Sequence, residues 1–371
     1  MGKNILVTGG AGFIGSFLVD KLVEKGNKVR IFDNLEPQVH HEKIPEYLNK
    51  EAEFIHGDVK DYDAFKKAID NIEIVFHEAS IVGVGQSQYE IKKYVDVNIG
   101  GTANLWDILV NYKNKVEKVV VAASMSSYGE GKYHCNKCGE VRPKLRPESQ
   151  LIKKDWEMHC PLCDNFAEPI GTDEEAVQNC NSIYAITKKD QEDMSTMLGK
   201  VYKIPSVALR YFNVYGPRQS LSNPYTGVAA IFMSRIKNNN LPIIYEDGLQ
   251  SRDFVSVHDI VDSNIIAMEN EDANYQVFNV GTGKAITIKE VALILAELYG
   301  KDIKPEITNK FRQGDVRHCF ADIERIKKRL GFEPGIDFRK GMEELIEWSR
   351  SAESIDYFEK ATKELKEKGI I

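Results

Sequence analysis

Apolar residues along the chain fall into two alternating rhythms. Short β-branched runs, NILVTG, KVRIFDN, EFIHGD, IVFHEAS and KVVVAAS, each have the length of one buried strand. The stretches between them space their apolar residues three or four apart, as an amphipathic helix does. GSFLVDKLVEKG reads as a helix closed by Gly26, and VNIGGTANLWDILVNYK as another. A third, SIYAITKKDQEDMSTMLGKVY, precedes the strand SVALRYFNVYG. This alternation predicts an α/β doubly wound fold, a parallel sheet with helices on both faces. Beyond it the pattern loosens into loops and short elements, ending in a charged helix, SIDYFEKATKELKEKG. Residues 131–170 break the order: they carry two CxxC pairs, several prolines and little periodicity, and read as an insertion.

Composition narrows the setting. With 371 residues and 42% hydrophobic content the chain is long enough for two lobes of a soluble protein. A net charge of −7 argues against a nucleic-acid partner, which needs a basic face. No apolar run approaches the roughly 18 residues that span a bilayer. The opening MGKNILV enters a strand directly, without the apolar segment of a secretory signal, so a cytoplasmic protein is expected. Six cysteines in a reducing compartment argue against disulfides and for a metal at the CxxC pairs.

Gly9, Gly12 and Gly15 form a GxxGxxG between the first strand and its helix. Glycine is needed there because the chain turns tightly and its backbone approaches a pyrophosphate at the helix N-terminus. Asp33 ends the second strand, where a carboxylate can bind the adenosine ribose and would repel a 2′-phosphate, which favours NAD over NADP. Asp58 closes the third strand within reach of the adenine. Phe13, Ile14, Asn34, Val59 and Ala79, from the same motifs, complete the expected cofactor set. YAITK places Tyr184 and Lys188 one helical turn apart. A phenol titrating near about 10 is a poor base, but a neighbouring ammonium and a positive nicotinamide ring favour the phenolate. Ser124 ends KVVVAAS at the carboxyl edge of the sheet, where its hydroxyl can share a substrate proton with Tyr184. His77 is expected to support the cofactor loop.

The ordered motifs TGGAGFIG, HGDV, HEAS, SMSSYG, YAITK, LRYFNVYGPRQ, SRDFVSVHDI and FRQGDVRHCFAD resemble the extended short-chain dehydrogenase/reductase family, and within it the nucleotide-sugar epimerases and dehydratases. The resemblance spans nearly the whole chain outside the insertion. It implies a Rossmann-type NAD-binding domain over 1–205 and a smaller C-terminal substrate lobe over 206–371, parts of which return to the first domain. It also implies tightly held NAD and a catalytic set of Ser124, Tyr184 and Lys188, and a homodimer built on a four-helix bundle. For that bundle, Trp106, Met194 and Met197 stand as apolar residues beyond one core-facing stripe.

Dehydratases of the family carry Asp-Glu after the catalytic hydroxyl residue, and the related decarboxylases keep the Glu. Met125 and Ser126 occupy those positions here, which leaves redox-neutral 4-epimerisation as the reaction served by the residues present. A 4-ketosugar reductase shares the same catalytic set, and a non-catalytic NAD-binding protein is the other alternative. The resemblance further implies that Asn213, Arg252 and Arg312 hold a diphosphate, Asp315 the nucleotide ribose, and Ser124 and Ser126 the sugar. Arg210 and Arg218 have either a binding or a structural role.

Cys135, Cys138, Cys160 and Cys163 have the spacing CxxC-x21-CxxC, which brings four thiolates to one tetrahedral zinc and leaves no open position for substrate. The expected metal is therefore structural, in a zinc-ribbon-like insertion too short to bury a core of its own. His134 and His159 are neighbours able to substitute for a remote cysteine. YGEGKYHCNKCGEVRPKLRP and NPYTGVAAIF resemble the cysteine-bearing epimerases of dTDP-L-rhamnose, with UDP-glucose 4-epimerases the nearest competitor.

Overall fold

The structure is a computed structural model and describes residues 2–40, 43–312, 314–352 and 354–369. Seven strands form one sheet: β1 (Asn4–Thr8), β2 (Lys28–Asp33), β3 (Glu53–His56), β4 (Ile74–His77), β5 (Lys118–Ser124), β6 (Ser206–Tyr211) and β7 (Gln276–Val280). Their order is β7-β6-β5-β4-β1-β2-β3, and every pairing is parallel. The order reverses at β1, the switch point beside which such sheets open a crevice. Register sets the carboxyl ends side by side: Thr8 faces Phe32 and His77, and Ser124 faces Tyr211.

The central strands are buried on both faces, whereas the edge strand β3 is not. In β1, Ile5 and Val7 join Leu18, Val19 and Leu22 of helix α1 (Phe13–Glu24) on one side. Leu6 meets Phe65, Leu105 and Trp106 on the other. This explains the unbroken apolar runs, since a parallel strand between two helical layers has no polar face to show. Helix α2 (Gly101–Asn111), preceded by a π-helical segment at Val95–Gly100, and helix α3 (Ile183–Tyr202) cover the second face. Ser182 starts α3 by accepting a hydrogen bond from the Ala185 N–H at 3.1 Å.

The C-terminal part is more helical than its loose rhythm predicts. Val228–Lys237, Ile288–Leu298 and Phe338–Ser351 are helices sharing a second core of Phe232, Met233, Leu295, Met342 and Leu345. Val257–Glu269 packs instead on α1. These helices are short and meet apolar partners on more than one side, which blurs a single stripe. SVALRYFNVYG splits after Tyr211, and Asn213–Tyr215 pairs with Phe254–Ser256 outside the main sheet. The last helix starts at Phe358, later than SIDYFEK implies. Among the described residues no helix is long and apolar enough to cross a membrane.

The 131–170 segment does bury a small core, contrary to expectation. Lys132–Cys135 pairs antiparallel with Gly139–Val141 and Glu168–Ile170. Tyr133, Val141, Met158 and Ala167 pack there around Cys135 and Cys160. Trp106 corrects a second expectation. It is a core residue, 1% exposed, whose indole N–H donates to Ser195 Oγ at 3.0 Å. Met197 is exposed, with Ile186, Val201 and Tyr202 on α3 and Tyr112 just past α2.

Candidate active site

One cavity of about 690 Å³ runs along the carboxyl edge of the sheet and into the C-terminal lobe. It begins at the glycine turn. Gly9 has φ +68°, and a Cβ on it would lie 2.9 Å from the Ala79 backbone. A Cβ on Gly15 would lie 2.2 Å from the Gly9 carbonyl oxygen, so the helix can approach the turn only without a side chain. A Cβ on Gly12 would meet only that oxygen, at 3.2 Å, which leaves its other side to the cavity. Gly12 is also the N-cap of α1, with no side chain capping the helix. Its N-terminal N–H groups are thus suited to an anionic group.

Asp33 is buried, with its carboxylate fixed by the Ala11 N–H at 3.0 Å and the Leu35 N–H at 2.8 Å. Asn34 donates to Asp58 at 3.1 Å, joining the ends of β2 and β3. Phe13, Ile14, Val59 and Ala79 line the same stretch. Below it, the Ala79 N–H donates to Thr8 Oγ1 at 3.2 Å, and Thr8 meets His77 Nδ1 at 2.9 Å. Burial pulls His77 down to about 3, so the ring is neutral. Thr102 gives its own proton to the Asn98 carbonyl, so His77 Nε2 is the donor in its 3.0 Å contact with Thr102. Both nitrogens are engaged in holding the loop. The glycine cradle, the anchored carboxylate and the open side at Gly12 together fit a dinucleotide.

Ser124, Tyr184 and Lys188 line the middle of the cavity. Ser124 Oγ accepts from the Ser126 N–H at 3.2 Å and the Ser126 hydroxyl at 2.9 Å, which leaves its own proton to give. Burial raises the Tyr184 phenol, and the Ser124 hydroxyl is the group that opposes the rise. Lys188, 2% exposed, is itself pulled down to about 8 by burial, against the charge of Glu78. Glu78 carries no motif of its own within HEAS, although a carboxylate directly after a buried apolar strand is an unusual place for a charge. Met125 packs on the core beside the cavity.

The far end is lined by Asn213, Arg252, Arg312 and Asp315. Arg252 donates to the Val316 carbonyl at 2.6 Å and the Arg317 carbonyl at 3.0 Å. Arg312 holds Asp315 at 2.9 Å and lies 4.6 Å over the Tyr245 ring. Side-chain oxygens of Asn213, Gln219 and Gln250, all cavity-lining residues, have no hydrogen-bond partner among the described residues. Buried acceptors left unpaired are costly, and a hydroxyl-rich ligand would satisfy them. Gln219 and Gln250 escaped sequence reading because an amide carries no pattern. Arg210 and Arg218 do not line the cavity. Arg210 is buried on Glu192 and Tyr128, and Arg218 pairs with Asp20 at 2.7 Å.

The four cysteines converge. Their sulfurs all lie within 4.8 Å of one another, with Cys135 and Cys163 at 3.6 Å, too far for a disulfide. A tetrahedral zinc with bonds of about 2.3 Å has sulfur–sulfur edges of about 3.8 Å. The Lys137 backbone N–H pulls Cys135 down to about 7, whereas hydrogen bonding to Cys163 holds Cys138 up at about 12. Crowded thiols resist ionising together, and a divalent cation removes that conflict. The donor set fits zinc. Neither histidine is needed: His134 lies exposed in its strand, and His159 bonds Asp155 and the Asp164 carbonyl.

The insertion is joined to the far end of the cavity by a buried ionic cluster. Arg146 binds Glu246 through both nitrogens, at 2.8 and 2.9 Å, and reaches the Asp315 carbonyl at 3.1 Å. Arg317 contacts Glu246, Asp247 and Glu157. Glu130 accepts the backbone N–H groups of Arg317 and His318 at 2.8 and 2.9 Å.

Residues 5–149 match the NAD dependent epimerase/dehydratase family, and residues 166–345 match the family described as GDP-mannose 4,6 dehydratase. A dTDP-L-rhamnose 4-epimerase of Burkholderia thailandensis is 35% identical over 354 residues, 94% of this chain and 95% of that protein. The crystal structure of the Thermotoga maritima UDP-glucose 4-epimerase with UDP-glucose is 32% identical, with a TM-score of 0.77 over 94% of this chain and 98% of the other. The Thermus thermophilus UDP-glucose 4-epimerase complex with NAD is 29% identical, with a TM-score of 0.74 over 94% of this chain and 100% of the other. With its switch-point crevice, its glycine cradle and relatives along nearly its full length, the chain belongs to the NAD dependent epimerase/dehydratase family.

Proposed function

We propose that the protein is an NAD-dependent 4-epimerase of a nucleotide sugar, acting through a transient 4-keto sugar. The observation that carries this reading is the cavity itself. It joins the glycine turn to Ser124, Tyr184 and Lys188 and then to Arg252 and Arg312, with Met125 and Ser126 where elimination would require acid–base groups. Gly9, Gly12, Gly15 and Asp33 would hold NAD, which would supply reversible hydride exchange at sugar C4. Tyr184 takes the O4 proton and later gives it back. Ser124 donates to O4 and fixes its distance from the phenol, and the Lys188 charge favours the phenolate. Asn213, Arg252 and Arg312 hold the diphosphate while the 4-keto sugar turns over, and Asp315 holds the nucleotide ribose. On this division residues 1–205 serve chiefly the cofactor and 206–371 chiefly the nucleotide sugar. The relatives favour dTDP-L-rhamnose or a UDP-hexose as substrate.

The four cysteines support one structural zinc in a ribbon-like insertion. Exposed Met197, Val201 and Tyr202 on α3, with Tyr112 beyond α2, support a homodimer joined through these helices. A cytoplasmic location agrees with reduced thiols. The test is to incubate purified protein with UDP-, dTDP- and GDP-sugars and analyse the products. C4 epimers formed without net NAD(P)H consumption are expected, with NAD(H) released on denaturation. Stoichiometric NADPH oxidation would instead identify a ketosugar reductase.

A further inference from the structure

Glu78 has no part in the chemistry above, yet it lies in the reacting part of the cavity. It follows β4 directly and lines the cavity with Ser124, Tyr184 and Lys188. Tyr211, which faces Ser124 across β5 and β6, donates to Glu78 Oε1 at 2.9 Å. Asn264 Nδ2 in turn donates to the Tyr211 oxygen at 2.7 Å. Three adjacent strand ends thus present a carboxylate and two hydroxyls to the cavity that the buried Lys188 also lines. The carboxylate is held by a relay rooted in the helix Val257–Glu269.

The other titratable groups around Lys188 are poor counter-ions. His77, at the end of β4, is neutral, and Tyr94, which meets the Tyr184 ring edge-on at 6.5 Å, is a phenol pushed far up by burial. Tyr211 is likewise held well above its ordinary range. Tyr184 is the group on which the ammonium is meant to act. A buried ammonium without an anion loses its proton.

Resting on the assignment of Tyr184 and Lys188 above, we propose that Glu78 is a positioning residue of the reaction. It is the counter-ion that keeps Lys188 charged, so that Lys188 can hold Tyr184 as the phenolate. Burial brings Lys188 to about 8 and pushes Glu78 up to about 7, with the Tyr211 hydroxyl and Lys188 drawing Glu78 down. Below about 7 Glu78 is protonated and lends no charge. Above it the carboxylate ionises and supports Lys188, and the support ends as Lys188 deprotonates. Replacing Glu78 by Gln therefore costs little in acid and progressively more as pH rises.

The experiment compares kcat of the holoenzyme and its Glu78→Gln and Glu78→Asp variants from pH 6 to 8, with the product assay above. The ratio of wild-type to Glu78→Gln kcat is expected to grow about fivefold across that range, what a drop of about one pKa unit on Lys188 gives by pH 8. Glu78→Asp should recover part of the loss, and sugar KM should change little. In the same preparations the ¹³Cε signal of Lys188, assigned against Lys188→Met, should titrate at lower pH in Glu78→Gln. A ratio that does not change with pH, or an unmoved Lys188 midpoint, overturns the proposal. Should Glu78→Gln lose its bound NAD or its cooperative melt, Tyr211→Phe takes its place. Removing the hydrogen bond that favours the carboxylate should pull the alkaline loss of activity to lower pH, and an unshifted alkaline limb overturns the proposal. Tyr184→Phe at wild-type rate would instead overturn the assignment on which it rests.

Discussion

The two ends of the cavity are built by opposite means. The cofactor end comes from a nearly continuous stretch, from β1 to Ala79, and is shaped by backbone: a glycine turn, N–H groups on Asp33, and a neutral Thr8–His77 relay. The nucleotide-sugar end is gathered from segments as distant as Arg146, Glu246 and Arg317, and is held by charges out of water. The first end is fixed by what side chains would obstruct, the second by what they neutralise. A lost charge should therefore damage the far end, and an added methyl the near end.

Where the ends meet, the largest effect is expected. Tyr184→Phe should keep NAD and sugar binding but lose turnover by about two to four orders of magnitude, the usual worth of a positioned acid–base group. Rapid-quench and steady-state assays would show it, and a variant retaining wild-type rate would show that the midpoint of the cavity is wrongly assigned. Next comes the charged end. Glu246→Ala leaves Arg146 and Arg317 buried with lost partners and should destabilise the fold by about 3–5 kcal/mol. Chemical denaturation would measure this loss, and in protein that remains folded the sugar KM should rise while NAD content holds. Equal loss at both ends would break the contrast.

Gly15→Ala sharpens it from the other side. Its methyl would press on the Gly9 carbonyl, a strain of about 1–3 kcal/mol falling on NAD occupancy and sparing nucleotide-sugar affinity, as calorimetry on NAD-loaded protein would report. The smallest effect belongs to the proposed zinc site. Cys160→Ser should lower zinc content and admit proteolysis within 131–170, raising sugar KM severalfold through Arg146 and Glu157 more than it lowers NAD occupancy. Metal analysis finding no zinc in protein purified without chelator would remove the premise of that last prediction.

The same contrast decides what could be read in the sequence. Gly9, Gly12 and Gly15, Asp33 and the YAITK pair are legible because the constraint on each comes from neighbours along the chain. Gln219, Gln250 and Glu78 are not, since their surroundings are assembled by strands and loops far apart. The C-terminal helices leave a weak stripe because their apolar residues meet partners on several sides. Trp106 departs from expectation because a core contact from α3, at Ser195, has no mark in the spacing of its own helix. The insertion's small core escaped notice because Tyr133, Val141, Met158 and Ala167 become neighbours only after three strands have paired. Tyr184 is a different case. Spacing locates the phenol beside a lysine, but the cost of burying both is a property of the folded cavity.

The insertion enters and leaves the body of the protein through adjacent strands, Lys132 facing Ile170, with Thr172 bonded back to the Lys132 N–H at 3.1 Å. By chain path it is a cassette: a short turn in its place would rejoin the ends. By charge it is not, because excision also removes Arg146 and Glu157 and opens the Glu246–Arg317 pair to water. A transplant between related scaffolds would have to carry Glu246, Asp247 and Arg317 with it, or replace them by apolar residues of matching volume. The unit of exchange is therefore discontinuous, a loop together with the socket that receives it.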